Sequence, residues 1–87
     1  MKVTFSETAW DEYIEWQGED KKTLRGINKL IKDIQRNGVL VGIGKPERLK
    51  YADAYSRRID EKNRLVYKDG SNGGVEIVSC KGHYDDK

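Results

Sequence analysis

"SRRIDEKNRLVY", residues 56–67, has two β-prone runs around a polar centre, and four of its twelve residues are Lys or Arg. Two β-prone runs that close together read as a hairpin. A three-residue loop at 61–63 pairs Asp60 with Arg64 and Ile59 with Leu65, with Asn63 in the left-handed position that such loops use. Side chains alternate between faces of a strand. Tyr55, Ile59, Leu65 and Tyr67 therefore share one face, and Ser56, Arg58, Asp60, Arg64 and Val66 the other. The expected hairpin is a core surface on one side and a charged platform on the other. Solubility alone accounts for some surface arginine, so the platform acquires meaning only from its surroundings.

Outward from the hairpin, residues 2–5, "KVTF", alternate as a short strand. Ser6 is a good N-cap with Glu7 in the first turn, and Trp10, Tyr13, Ile14 and Trp16 then recur at helical spacing. This predicts a helix over 7–17, ended by Gly18, with both tryptophans in the core. A second helix is expected over about 20–36, its apolar stripe made by Leu24, Ile27, Ile31 and Ile34 and widened by Leu30. "NGVLVGIGKPERLK", 37–50, holds three glycines and the only proline and reads as a loop. It lacks the GK[ST] ending of a phosphate-binding P-loop. Further strands are expected at about 54–59, 64–68 and 75–80. The pattern is α+β: two N-terminal helices on a small, mostly antiparallel, twisted sheet.

The chain has 87 residues, enough for one domain over 1–87 with one core. Its single cysteine, Cys80, can form no internal disulfide. No apolar run approaches the ~20 residues of a membrane span, and the N-terminal stretch lacks a signal-peptide pattern. A cytoplasmic protein with no membrane partner is expected. The net charge of +2 conceals a division. Residues 1–20 have one Lys and six acidic residues. Residues 21–68 have fourteen Lys or Arg against five acidic residues, and residues 69–87 two against four. The positive middle suits a polyanionic partner. Arg25, Lys29, Lys32 and Arg36 fall at i, i+4, i+7 and i+11, one basic ridge along the second helix.

One histidine exists, His83, in "CKGHYDD". One His and one Cys cannot build a zinc site, and no cofactor motif occurs. Glu47 follows Pro46 in the glycine-rich segment. A carboxylate base, an acid and a fixed guanidinium are together what metal-free RNA cleavage requires. The base takes the ribose 2′-OH proton, the acid protonates the leaving 5′-oxygen, and the cation stabilises the charge growing on phosphorus.

Trp10, Tyr13, Trp16 and Gln17, then "DKKT" at 20–23 and "INKLIKDIQR" at 27–36, "GIGKPERLK" at 42–50, "SRRIDEKNRLVY" and the terminal "HY" occur in one order over Met1–Tyr84. In this the chain resembles the YoeB/Txe branch of the RelE/ParE-type bacterial toxins. The resemblance implies a ribosome-dependent endoribonuclease that cuts mRNA in the A site and is held inactive by a YefM/Axe-like antitoxin. A homodimer is possible in such families. The resemblance implies Glu47 as base, Arg64 as transition-state clamp, His83 as acid and Tyr84 as an orienting aromatic. Lys50, Arg57 and Arg58 match phosphate-facing positions, and the ridge Arg25, Lys29, Lys32 and Arg36 would meet ribosomal RNA. Three places depart from the family pattern: a longer loop before "GIGKPE", a short "YADAY" segment before the hairpin, and "DDK" at 85–87. This last segment is expected to be a flexible tail whose Asp85 and Asp86 favour protonated His83. Two other readings stay open: a ParE-like inhibitor of DNA gyrase, and a regulator that binds RNA or antitoxin without cutting.

Overall fold

The computed structural model describes residues 1–82. The elements are β1 (Val3–Phe5), α1 (Glu7–Glu19), α2 (Lys21–Asn37), β2 (Glu47–Arg48), β3 (Tyr55–Arg58), β4 (Arg64–Asp69), a 3-10 turn (Ser71–Gly73) and β5 (Val75–Ser79). The five strands form one mixed sheet in the order β1-β5-β4-β3-β2. Only the β1–β5 pair is parallel. The α+β class, with two helices on a mostly antiparallel sheet, is what the sequence pattern implies.

The helix starts follow from side chains that satisfy otherwise orphaned amides. Ser6 Oγ accepts from the Ala9 amide at 3.0 Å and donates to the Val78 carbonyl at 2.8 Å, so the cap also docks α1 on β5. Asp20 both ends α1 and starts α2. Its amide donates to Trp16 O at 3.0 Å, and its carboxylate accepts from the amides of Lys22 and Thr23. Gly18 therefore does not end the first helix as expected; it lies inside it.

One face of the sheet carries Tyr55, Leu65, Tyr67, Val75 and Ile77, and the helices cover it with Ala9, Trp16, Ile27, Leu30 and Ile34. Trp16 is buried and its indole N–H donates to Cys80 O at 2.9 Å. Trp10 is 50% exposed, against the expectation of a core position. It stacks instead on Tyr13, with ring centroids 5.9 Å apart, beside Phe5.

The hairpin register is shifted from the expected one. Arg58 stands opposite Arg64 and Arg57 opposite Leu65, which makes the loop longer. The cause is Asp60, whose carboxylate accepts from the amides of Lys62 at 2.8 Å and Asn63 at 2.7 Å. This turn needs no left-handed residue, and Asn63 has none of the positive φ expected of it. A shift of two keeps the alternation, so the two faces stay as read. By that alternation Arg57 belongs to the core face. It is fully buried, on the opposite side of the sheet from Arg64. Its expected role at a phosphate is not compatible with that position.

Candidate active site

The uncovered face of the sheet collects the polar side chains. β2 was not foreseen within the glycine-rich segment, but it sets Glu47 opposite Ser56, and β3 sets Ser56 opposite Val66. Residues directly opposite share a face, so Glu47, Ser56 and Arg64 project to the same side. Arg64 Nη2 donates to Glu47 Oε2 at 2.7 Å and to Ser56 Oγ at 3.0 Å, while Nε donates to the same hydroxyl at 3.2 Å. Ser56 is fully buried and gives the guanidinium a fixed support. The spacing of charged residues does not mark it; its parity with Arg64 does.

The Arg64 side chain is 15% exposed and that of Glu47 is 60% exposed. The carboxylate end of the ion pair faces solvent, while the guanidinium end is largely buried. The pair sits in an open cleft of about 330 Å³, which Lys50 and Tyr51 also line. Arg58 is exposed and stands opposite Arg64 on the same face. Glu47, Arg64, Lys50 and Arg58 are thus on one side of the molecule. Arg57 is not among them.

The backbone brings the end of the described chain to this place. The Arg64 amide donates to Gly82 O at 3.1 Å, and the Gly82 amide donates to Asn63 Oδ1 at 2.8 Å. Upstream, Cys80 N donates to Glu12 at 2.7 Å. Lys81 Nζ is held by Glu15 and Glu19 at 2.7 and 2.8 Å. These two carboxylates raise the Lys81 pKa above the ordinary lysine value. Burial pushes the Cys80 thiol up to about 12, so it stays protonated and unreactive at neutral pH. His83, Tyr84 and the 85–87 tail, with Asp85 and Asp86, lie outside the described residues.

Arg25, Lys29, Lys32 and Arg36 are all exposed on α2. That helix packs on the other face of the sheet, through Ile27, Leu30 and Ile34. The ridge is therefore separate from the cleft, and a polyanion touching both would have to reach around the molecule.

The comparisons with known proteins agree with one another. Residues 5–84 match the family model described as YoeB-like toxin of bacterial type II toxin-antitoxin system. The chain is 44% identical over 86 residues to Toxin YoeB of Escherichia coli K12, covering 97% of this chain and all of that one. It superimposes with a TM-score of 0.87 and 48% identity on a heterotetrameric YoeB–YefM toxin–antitoxin complex from Staphylococcus aureus. A YoeB dimer from the same organism gives the same TM-score and identity, and each match covers 97% of this chain and 98% of the other. Likeness over nearly the full length, in sequence and in fold, places this chain in the family of YoeB-like toxins of bacterial type II toxin–antitoxin systems.

Proposed function

We propose that this chain is a ribosome-dependent endoribonuclease that cleaves mRNA in the ribosomal A site without a cofactor. The observation that carries the reading is the Glu47–Arg64 contact of 2.7 Å over the buried Ser56 hydroxyl, open to solvent. Glu47 takes the proton of the ribose 2′-OH, and the resulting oxygen attacks the adjacent phosphorus. Arg64 binds the non-bridging oxygens as charge builds on them. His83 protonates the departing 5′-oxygen, with Tyr84 orienting the reacting groups. Lys50 and Arg58 hold the flanking phosphates. The docking of Gly82 on Asn63 and Arg64 supports this reading, because His83 is the next residue in the chain. The basic ridge of α2 contributes binding to ribosomal RNA. The chain works in the cytoplasm and is neutralised by an antitoxin of the YefM kind, and it pairs with a second copy of itself; the complex of YoeB with YefM and the YoeB dimer from Staphylococcus aureus support these two partners.

The test is cleavage of mRNA on programmed ribosomes by the purified protein, with the new 5′ ends mapped. The expected products carry a 2′,3′-cyclic phosphate and a 5′-hydroxyl. One His and one Cys give no soft-metal site, so cleavage should persist at any EDTA level that leaves the ribosome intact. A 5′-phosphate product would sink the mechanism. Intact mRNA together with inhibited DNA gyrase would instead support a ParE-like toxin.

A further inference from the structure

Arg57 is the only charged side chain that is buried among the described residues. A guanidinium carries five N–H donors, and each has an acceptor here. Nε donates to Tyr67 Oη at 2.9 Å. Nη1 donates to the Asp33 carboxylate and to Ile43 O, and Nη2 to Gly38 O and Val41 O. Three of these acceptors are carbonyls of one loop. A fourth loop carbonyl, Val39 O, accepts from Tyr67 Oη at 2.6 Å, and the Ile43 amide donates to Asp33 at 3.0 Å.

The 38–44 loop is thus turned inside out. Its backbone faces a buried cation, while Leu40, Val41 and Ile43 stand exposed. Only Val39 of its apolar side chains packs on the core, so side-chain burial accounts for little of that path and the cation for most of it. The glycines mark the closest approaches. A Cβ on Gly42 would lie 1.8 Å from Asp33 Oδ2, and one on Gly44 would lie 2.7 Å from Leu30 Cδ2, both at positive φ. The loop then ties to β3, because the Arg58 amide donates to Gly44 O at 2.7 Å. Glu47 follows three residues later.

We propose that Arg57 is a positioning residue for Glu47. From the helix side of β3 it fixes the loop that delivers Glu47 to Arg64 on the other side. This rests on the reading of Glu47 as the base. Loosening the anchor should misplace the carboxylate, and a displacement of about 1 Å can cost on the order of a hundredfold in rate.

Two variants loosen it with little change of volume, Tyr67→Phe and Asp33→Asn, the second serving if the first does not fold. Folding is checked by thermal melting, and cleavage is measured in single turnover at saturating programmed ribosomes. The expected rate loss is about tenfold to a hundredfold, with ribosome affinity within about twofold of wild type. Each variant is then combined with Glu47→Gln. If Arg57 acts through Glu47, the double variant is no slower than Glu47→Gln alone. A loss that multiplies in the double variant overturns the proposal, because it shows an effect on the fold at large. A folded variant that cleaves at full speed also overturns it. Glu47→Gln cleaving at the wild-type rate would remove the reading of Glu47 as well, and so tells the two failures apart.

Discussion

Among the described residues Arg64 makes three side-chain hydrogen bonds to two partners, and in the proposed mechanism only the one to Glu47 is released when a phosphate binds. Arg64→Ala should therefore lose about 10²–10³ in single-turnover cleavage, the usual cost of one preorganised donor. Ribosome affinity should hardly change, because many basic residues share the binding. Cleavage at the wild-type rate would show that Arg64 is not the clamp. Ser56→Ala should cost less, about tenfold, because it removes a support and not the cation. Both rates can be read in the same assay. The sequence disclosed the residue types of this cleft better than their arrangement. Glu47 follows a glycine-rich loop whose path no periodicity predicts, and only the family resemblance grouped it with Arg64. Arg57 illustrates the opposite case. From sequence it was left off both faces and grouped with the phosphate-facing positions, although its parity with Tyr55 is that of the core face. The cage of Asp33, Tyr67 and loop carbonyls that decides between these is assembled from distant segments.

The helices were the most legible elements, because their caps are local chemistry. Ser6 marks the first start, whereas the Asp20 cap of the second was not read, and the apolar stripe of α2 supplies Ile27, Leu30 and Ile34 to the core. The opposite stripe, Arg25, Lys29, Lys32 and Arg36, is exposed along the helix. Reversing these four charges should weaken ribosome binding and flatten its dependence on salt, because fewer counterions are released. Binding isotherms at several salt concentrations check this. An unchanged slope would make the ridge a solvated surface only. The strands were less legible. β2 is two residues long, too short for any pattern, and the β3–β4 register turns on one Asp60 side chain. The hairpin's core face can be tested through Leu65, which is fully buried. Leu65→Ala should destabilise the protein by about 2–5 kcal/mol, measured by urea unfolding.

Three aspartates contribute to the acid stability of the molecule. Hydrogen bonds from Thr23 lower the pKa of Asp20, and the bond from Arg57 lowers that of Asp33. Burial pushes Asp60 up, but bonds from Asn63 and the Lys62 amide outweigh it and leave its pKa lowered. In each case the unfolded chain binds its proton at higher pH than the folded one. The stabilisation is therefore complete above the ordinary value of 3.8 and is lost as pH falls through the lower folded values. Urea midpoints should fall as pH drops below the ordinary value of 3.8. Asp20→Asn, which keeps part of the cap, should make that fall shallower. The strand order itself was not legible, because β1 and β5 pair across nearly the whole sequence, Val3 opposite Val75. That parallel pair also dictates a schedule. Contacts so distant in sequence form late, after the entropy of closing a long loop has been overcome. During synthesis β1 and α1 emerge first, yet their partner β5 is translated after every other strand. Until residues 75–82 have left the ribosome, Ser6 has no Val78 to hold and Arg64 no Gly82 beside it. A growing chain thus lacks its finished cleft until β5 has emerged.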